Sequence, residues 1–338
     1  VWAMFSNRML LVGGWLAAAV VLSTGVVHAK PAEPYVSTGK DHAWFSFSKP
    51  HAPDPAGQLA YAAELWSHQR FTKAFKAYRT LALTWPGSDE AATAQYMMGR
   101  ILEQQKKWKD AFDAYQTLMD RYPGAFAYEE VLQRQFAIAK QEMNRKRGKF
   151  LLLPGYKAPE KAVELFEKII SNGPRTPIAP EAQFLIGQSY ETSLDYELAM
   201  VAYMTTQQRY PASDYAEKAA LGRARTLYKI TREQPNDEAS LEEAYAAAIL
   251  FLNAYPDSDD ADQVRDYRDN LFDRRVETAY SVAEYYDQIA KRPKAAMASY
   301  EKLIRAFPRS AQAEQARQRL EELSREQVET TDDEQTQD

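Results

Sequence analysis

The stretch that decides the fold is residues 99–123, GRILEQQKKWKDAFDAYQTLMDRYP. It holds a small residue, Gly99, then Ala111 twelve positions later, Tyr115 four positions after that, and an aromatic residue directly before Pro123. Apolar residues recur every three or four positions, which is the pattern of amphipathic helices. Proline ends a helix because it has no amide hydrogen and its ring clashes with the preceding turn. The stretch therefore predicts two closely packed helices that stop at Pro123.

The same spacing occurs six times along the chain. The six units end near Pro86, Pro123, Pro174, Pro211, Pro256 and Pro308. Alanine stands twelve residues before each proline, at Ala74, Ala111, Ala162, Ala199, Ala244 and Ala296. This pattern resembles the tetratricopeptide repeat, in which each unit is a pair of antiparallel helices. The resemblance implies an all-α solenoid of about six helix-pair units over residues 57–320, with a C-terminal capping helix.

Composition favours a helical binding protein over an enzyme. The 338 residues include 13 glycines, four histidines and no cysteine. The missing cysteine excludes thiol nucleophiles, disulfides and cysteine-bound metals. We find no glycine-rich phosphate loop and no metal-spaced histidines, so we predict no cofactor and no enzymatic activity. The enzymatic alternative, a solenoid-type peptidoglycan lyase, would require a catalytic acid in a cleft and a further domain, and no region is left for one.

The N-terminal residues predict export. Arg8 precedes an apolar run from Met9 to Leu22, and residues 27–29, Val-His-Ala, have the form of a cleavage site. We therefore expect a signal peptide over residues 1–29. The alternative is an uncleaved anchor, because the apolar stretch is just long enough to cross a bilayer. Residues 30–56 are rich in proline and predict a flexible linker.

The C-terminal residues have a different character. Residues 321–338 carry eight acidic residues and one arginine. Such a concentration of like charge is typical of solvated chain. We expect a disordered acidic tail over this range.

Residues 280–286, YSVAEYY, carry a more specific resemblance. With the charged helix before them and the last repeat after them, they resemble the BamD (YfiO) family of outer-membrane β-barrel assembly. The motif residues are Tyr280, Ala283, Glu284, Tyr285 and Tyr286. The resemblance implies a non-enzymatic periplasmic scaffold, associated with the outer membrane, that binds the barrel-insertion subunit and unfolded outer-membrane protein clients, without nucleic acid.

Two points qualify what the resemblance implies. The family is anchored by a lipidated cysteine after its signal peptide, and this sequence contains no cysteine. Membrane association would then depend on partners or on an uncleaved signal segment. The alternative function is another periplasmic tetratricopeptide scaffold, such as the cell-division coordinator that works with the Tol–Pal system. Such proteins carry a coiled coil before their repeats, whereas residues 30–56 show no heptads.

Candidate binding residues follow from the repeat pattern. The first helix of each unit lines the concave face, where aromatic anchors and charged groups suit a peptide segment. The predicted groove residues are Trp66, Tyr96, Arg100, Glu103, Phe184, Gln188 and Glu191. Packing between repeats, or a solvated face, is the structural alternative for each of them. An apolar loop predicts either a partner contact or a segment folded back on the repeats, through Phe150, Leu151, Leu152, Leu153 and Tyr156. We expect Tyr285 and Tyr286 to be core residues of the sixth unit.

Overall fold

The computed structural model describes residues 49–147 and 156–335. These residues form thirteen α-helices. The helices are α1 (Pro55–Ser67), α2 (Phe71–Thr84), α3 (Asp89–Gln104), α4 (Trp108–Arg121), α5 (Tyr128–Asn144), α6 (Val163–Asn172), α7 (Ala179–Thr192), α8 (Tyr196–Arg209), α9 (Asp214–Glu233), α10 (Glu238–Ala254), α11 (Ala261–Glu284), α12 (Pro293–Ala306) and α13 (Ala311–Gln335). A 3-10 turn at Pro159–Ala162 precedes α6, and a π-helical turn at Tyr285–Ile289 follows α11.

The helices form six consecutive pairs, from α1–α2 (unit 1) to α11–α12 (unit 6). Each helix packs mainly against the helices before and after it in the chain. Helix α13 follows the sixth pair and packs on α12 and α11. The predicted all-α tetratricopeptide solenoid with a capping helix is therefore confirmed. Among the described helices, none is both long and apolar enough to span a membrane.

Proline position explains where the second helix of each unit ends. Each of these helices stops two residues before its proline, as at Thr84 before Pro86 and Arg121 before Pro123. The residue before a proline disfavours helical backbone, so the chain turns there and starts the next unit. Helix α1 begins beside Asp54, whose carboxylate accepts a hydrogen bond from the amide of Gly57 at 2.8 Å.

Small residues allow the paired helices to approach closely. The alanine twelve residues before each proline is fully buried in all six units. A Cβ atom at Gly99 would lie 2.5 Å from the ring of Tyr115, and one at Gly187 would lie 2.6 Å from the ring of Tyr203. The tyrosine of the second helix thus lies directly against the backbone of the first helix. A larger residue at Gly99 or Gly187 would displace this tyrosine ring or the helix itself.

The segment between α5 and the 3-10 turn, which holds the predicted apolar loop, begins and ends in a short antiparallel ladder. Strand β1 (Lys146–Arg147) pairs with β2 (Tyr156–Lys157) in the register Lys146 to Lys157. Phe150, Leu151, Leu152 and Leu153 lie outside the described residues. The structure describes the backbone of Tyr156 in β2, so the predicted contact of this loop remains a prediction. The predicted signal peptide, residues 1–29, and residues 30–48 also lie outside the described part.

The expected disordered tail from residue 321 is wrong as far as Gln335, where α13 ends. The helix continues because Leu323 is buried against unit 6. Arg319 also pairs along the helix with Glu322 at 2.8 Å and with Glu326 at 3.2 Å. A charge pair three residues apart, as between Arg319 and Glu322, supports a helix even where the net charge is strongly negative.

Candidate functional site

Units 2, 4 and 6 share an arrangement of an acid, a tyrosine and an arginine. The acid stands near the end of the unit's first helix or in the turn after it, the tyrosine on the second helix, and the arginine on the first helix that follows. The members are Glu103, Tyr115 and Arg134 in unit 2, Glu191, Tyr203 and Arg225 in unit 4, and Asp287, Tyr300 and Arg319 in unit 6. We call each set a triad.

In the unit 4 triad the carboxylate of Glu191 is buried, and both of its oxygens accept hydrogen bonds. Glu191 is only 5% exposed and accepts two hydrogen bonds from Arg225, at 2.8 and 2.7 Å. Lys229 donates a third at 2.9 Å and the Tyr203 hydroxyl a fourth at 2.6 Å. Burial raises the pKa of Glu191, but the hydrogen bonds from Arg225, Tyr203 and Lys229 outweigh it and lower the pKa to about 2. The triad therefore fastens α7, α8 and α9 together at neutral pH.

The unit 6 triad fastens the capping helix in the same way. Arg319 of α13 donates to the two oxygens of Asp287 at 2.8 and 3.1 Å, and the Tyr300 hydroxyl donates at 3.3 Å. Hydrogen bonds from Arg319 lower the pKa of the Asp287 carboxyl, against the opposing effect of burial. Asp287 lies within the π-helical turn, so the closure of unit 6 depends on that irregular turn.

The unit 2 triad differs because it opens to solvent. Arg134 donates to Glu103 at 3.2 Å, and Arg100 lies 3.7 Å from the same carboxylate. Arg134 also donates to the Tyr96 hydroxyl at 3.1 Å, and that hydroxyl donates to Glu130 at 2.6 Å. Burial, and next the charge of Glu103, raise the pKa of the nearby Tyr115. The half-buried Tyr96 thus lies beside two arginines, Arg100 and Arg134, whose carboxylate partners are Glu103 and Glu130.

A cavity of about 570 Å³ adjoins this open triad. Three large aromatic side chains line it, Trp66, Phe71 and Trp108, together with Arg100, Glu103 and Arg134. Trp66 and Phe71 meet edge to face with ring centroids 5.1 Å apart. Aromatic walls beside paired guanidinium groups suit an extended segment that carries an aromatic side chain and a carboxylate.

The structure separates the predicted groove residues into two groups. Trp66, Arg100 and Glu103 line the cavity, and Tyr96 contacts it through Arg100 and Arg134. Phe184 is half-buried, with ring centroids 5.7 Å from both Tyr203 and Tyr215. Gln188 is half-buried, and Glu191 is held inside the unit 4 triad. Phe184 and Glu191 therefore pack against the following unit.

The motif residues around 280–286 divide in a similar way. Ala283 is buried, Tyr280 is half-buried with its ring 6.1 Å from that of Tyr300, and Glu284 is exposed. Tyr286 packs against the unit 6 core, but Tyr285 is 51% exposed. The expectation that Tyr285 is a core residue is therefore wrong.

The π-helical turn accounts for the exposure of Tyr285. Its hydrogen bonds span five residues, as from the Ala290 amide to the Tyr285 carbonyl, so the side-chain faces shift relative to the preceding α-helix. Val282 and Ile289 are exposed near it, Ile289 by 73%. We call Val282, Tyr285 and Ile289 the π-turn patch.

Several residues of these sites were missed at the level of sequence. Arg134, Arg225 and Arg319 stand in the helix that follows each unit, so no repeat taken alone contains its whole triad. One signal could have found them. In each of these units an acid stands twelve or thirteen residues before the tyrosine of the second helix, and an arginine stands about twenty residues after that tyrosine. The distance from the tyrosine to the arginine varies, at 19, 22 and 19 residues, so a comparison of the units at one fixed period does not detect the pattern.

Comparison with known proteins finds family models that match parts of this chain. Residues 180–329 match the YfiO family model, described as an outer membrane lipoprotein, and residues 93–125 match a tetratricopeptide repeat model. The resemblance to the BamD (YfiO) family is thereby confirmed over the C-terminal part of the chain. No curated protein matches this chain.

Solved structures with some similarity are other repeat proteins. One is the C-terminal part of a repeat-containing protein from Cytophaga hutchinsonii, with 18% identity, 78% of this chain and 87% of that chain covered, and a TM-score of 0.34. Another is YrrB, a repeat protein with an unusual peptide-binding site, with 16% identity, 63% and 92% covered, and a TM-score of 0.31. A third, from Parabacteroides merdae, has 13% identity, 80% and 98% covered, and a TM-score of 0.31.

Proposed function

We propose that this protein is a non-enzymatic scaffold of outer-membrane β-barrel assembly that works in the periplasm. In this role it binds the barrel-insertion subunit and unfolded outer-membrane protein clients. The observation that carries the proposal is the match of residues 180–329 to the YfiO family, which covers units 4 to 6 and the capping helix. A helical repeat array suits this role because it offers long surfaces to protein partners without a catalytic centre.

The π-turn patch is the surface we assign to the barrel-insertion subunit. Tyr285 and Ile289 project apolar surface into solvent from a turn that Arg319 and Asp287 hold in place. Exposed apolar side chains on a rigid support favour a protein contact, since aromatic anchors supply much of the binding energy at interfaces. Val282 and Tyr285 of the patch also lie within the family motif, residues 280–286, which supports its assignment to the partner that the family implies.

The cavity of unit 2 is the surface we assign to clients. Trp66 and Trp108 offer apolar walls to an aromatic or aliphatic side chain, while Arg100 and Arg134 attract a carboxylate. Glu103 balances one of these charges and restricts the orientation of a bound segment. An unfolded outer-membrane protein supplies extended segments with aromatic side chains, so its chemistry fits the cavity.

Co-purification from the host tests the proposal. Tagged protein is isolated from solubilised membranes, and the recovered proteins are identified by mass spectrometry. We expect a large β-barrel protein with periplasmic repeat domains, and we expect Trp66→Ala to keep that protein while it loses client segments. Recovery of Tol–Pal components in place of the barrel protein would instead support the cell-division scaffold.

Membrane fractionation tests the mode of attachment. We propose that partner contacts hold the protein at the outer membrane. A high-salt wash of the membrane fraction should then release it. Retention after the wash would favour an uncleaved signal segment as the anchor.

A further inference from the structure

The turn between the paired helices places one residue in the left-handed region in four units. These residues are Gln69 (φ 57°), Lys106 (φ 57°), Leu194 (φ 65°) and Lys291 (φ 49°). This conformation is uncommon for any residue other than glycine and costs most for bulky side chains. Three units place a long polar side chain there, which extends into water. Unit 4 places Leu194 there, and this apolar side chain is 67% exposed.

Leu194 begins an apolar stripe that continues along α8. Leu198 and Val201 lie three positions apart on one face of α8, after the turn that holds Leu194, and are 49% and 62% exposed. We call these three residues the α8 stripe. The equivalent positions hold Gln69, Lys73 and Lys76 in unit 1, Lys106, Asp110 and Asp113 in unit 2, and Lys291, Ala295 and Ala298 in unit 6. Since other units are polar or small there, the repeat fold does not require the apolar stripe.

Grooves flank the stripe on both sides. The groove toward α6 has a volume of about 660 Å³ and adds Ile170 and Ile186 to Leu198 and Val201. The groove toward the α9–α10 turn has a volume of about 650 Å³. Its apolar lining is Leu194, Leu198, Met200, Leu227 and Ile230.

Charge distinguishes the second groove. Its acidic lining is Asp195, Glu197, Glu233, Asp237 and Glu243, and the described residues that line it include no lysine or arginine. Arg223 pairs with Glu243 at 3.6 Å from outside the groove and offsets only one of these charges. A groove with an apolar floor and an acidic edge attracts a segment that carries apolar side chains on one face and basic side chains beside them.

We infer that the α8 stripe is the docking surface for a basic amphipathic helix of a partner protein. The stripe covers the turn at Leu194 and the first part of α8 as far as Val201. Leucine-type side chains of that helix enter the two grooves, as in other helix-in-groove complexes. Lysine or arginine side chains along one edge face the carboxylates of the α9–α10 side. This surface is separate from the two surfaces assigned above and does not depend on the proposed function.

A designed peptide tests the inference with the full chain. The probe is a fluorescent fifteen-residue helix with leucines on one face and lysines along one flank, and its twin carries glutamates in place of the lysines. We expect the basic peptide to bind at micromolar concentrations and the acidic twin at least about tenfold more weakly at low salt, with the gap narrowing as salt rises. Absence of binding, or equal binding of the two peptides, would overturn the inference.

Matched variants separate docking from folding. Leu194→Gln copies the residue of unit 1 at the same turn, so it should keep the melting temperature and weaken peptide binding about tenfold. Leu250→Gln removes a leucine of α10 that is 59% exposed and lies outside both grooves, and it should leave binding unchanged. Unchanged binding in Leu194→Gln contradicts the inference. So does self-association of the wild-type chain that Leu194→Gln abolishes, because a second copy would then occupy the stripe.

Discussion

Replacing Glu191 by glutamine should destabilise units 4 and 5. We expect this effect to exceed that of replacing any other charged residue on the first helix of a unit. The carboxylate is buried and accepts hydrogen bonds from Arg225, Lys229 and Tyr203. Glutamine keeps the shape of the side chain but removes the charge, so two cations lose their common partner. The substitution therefore tests the triad and leaves the packing of α7 against α8 nearly intact.

The magnitude follows from the pKa of Glu191, which falls from an ordinary 4.5 to about 2. Each pKa unit corresponds to about 1.4 kcal/mol, so the ionised carboxylate contributes about 3 kcal/mol at neutral pH. Loss of one partner of a buried ion pair costs about 3–5 kcal/mol. Arg225 and Lys229 keep partial access to water, so we expect the lower end, about 3 kcal/mol.

The sign of the pH dependence follows from the same shift. The pKa is lower in the folded protein than in the unfolded chain, so the stabilisation is complete above pH 4.5 and is lost as the pH falls toward 2. The free energy of unfolding of the wild type should exceed that of Glu191→Gln by about 3 kcal/mol at pH 7. The difference should shrink steadily below pH 4.5.

Hydrogen exchange combined with urea denaturation is the appropriate assay, since repeat arrays unfold in parts. Amides of α7, α8 and α9 should exchange about a hundredfold faster in Glu191→Gln. The control is Glu301→Gln, which removes an exposed pair with Arg305 at 3.3 Å and should change stability by less than about 1 kcal/mol. Equal effects of the two substitutions would refute the reasoning.

Two further predictions concern the packing and the cap. Gly99→Ala should destabilise unit 2 by about 1–3 kcal/mol in thermal unfolding, because its Cβ would lie 2.5 Å from the Tyr115 ring. Gly87→Ala should be nearly neutral, because a Cβ at that position has no neighbouring atom within 4 Å. A neutral Gly99→Ala would disprove the close contact. Asp287→Asn should release α13, seen as faster amide exchange of that helix; because hydrogen bonds from Arg319 lower the pKa of Asp287, the wild-type protection should also fall as the pH drops below 3.8. Unchanged exchange of α13 would argue against the Arg319 contact.

The sequence predicted the fold well because every proline-ended unit keeps the same internal spacing, with an alanine twelve residues before its proline. Pro86 and Pro123 mark helix ends through local backbone sterics, and Ala111 and Gly99 mark close contacts through size alone. These effects act within one unit, so one amino-acid sequence is enough to display them. The match of residues 180–329 to the YfiO family agrees with the motif at 280–286.

The parts that escaped prediction depend on contacts between units. Glu191 was expected in a groove, yet Arg225 from the next unit draws it into a buried triad. Tyr285 was expected in the core, yet the π-helical turn exposes it. The acidic stretch after residue 321 was expected to be disordered, yet Leu323 and the pairs of Arg319 keep it helical to Gln335. No local pattern encodes these outcomes, because each requires knowledge of a neighbouring helix.

Direct binding of the purified protein to the periplasmic repeat domains of the host's large outer-membrane barrel protein tests the central claim most directly. The decisive comparison is wild type against the double variant Tyr285→Ser with Ile289→Ser, whose exposed side chains contribute little to the fold. We predict specific binding by the wild type and at least about tenfold weaker binding by the variant, with an unchanged melting temperature. Absence of wild-type binding, or equal binding by the two proteins, would contradict the assigned role of the π-turn patch in barrel assembly.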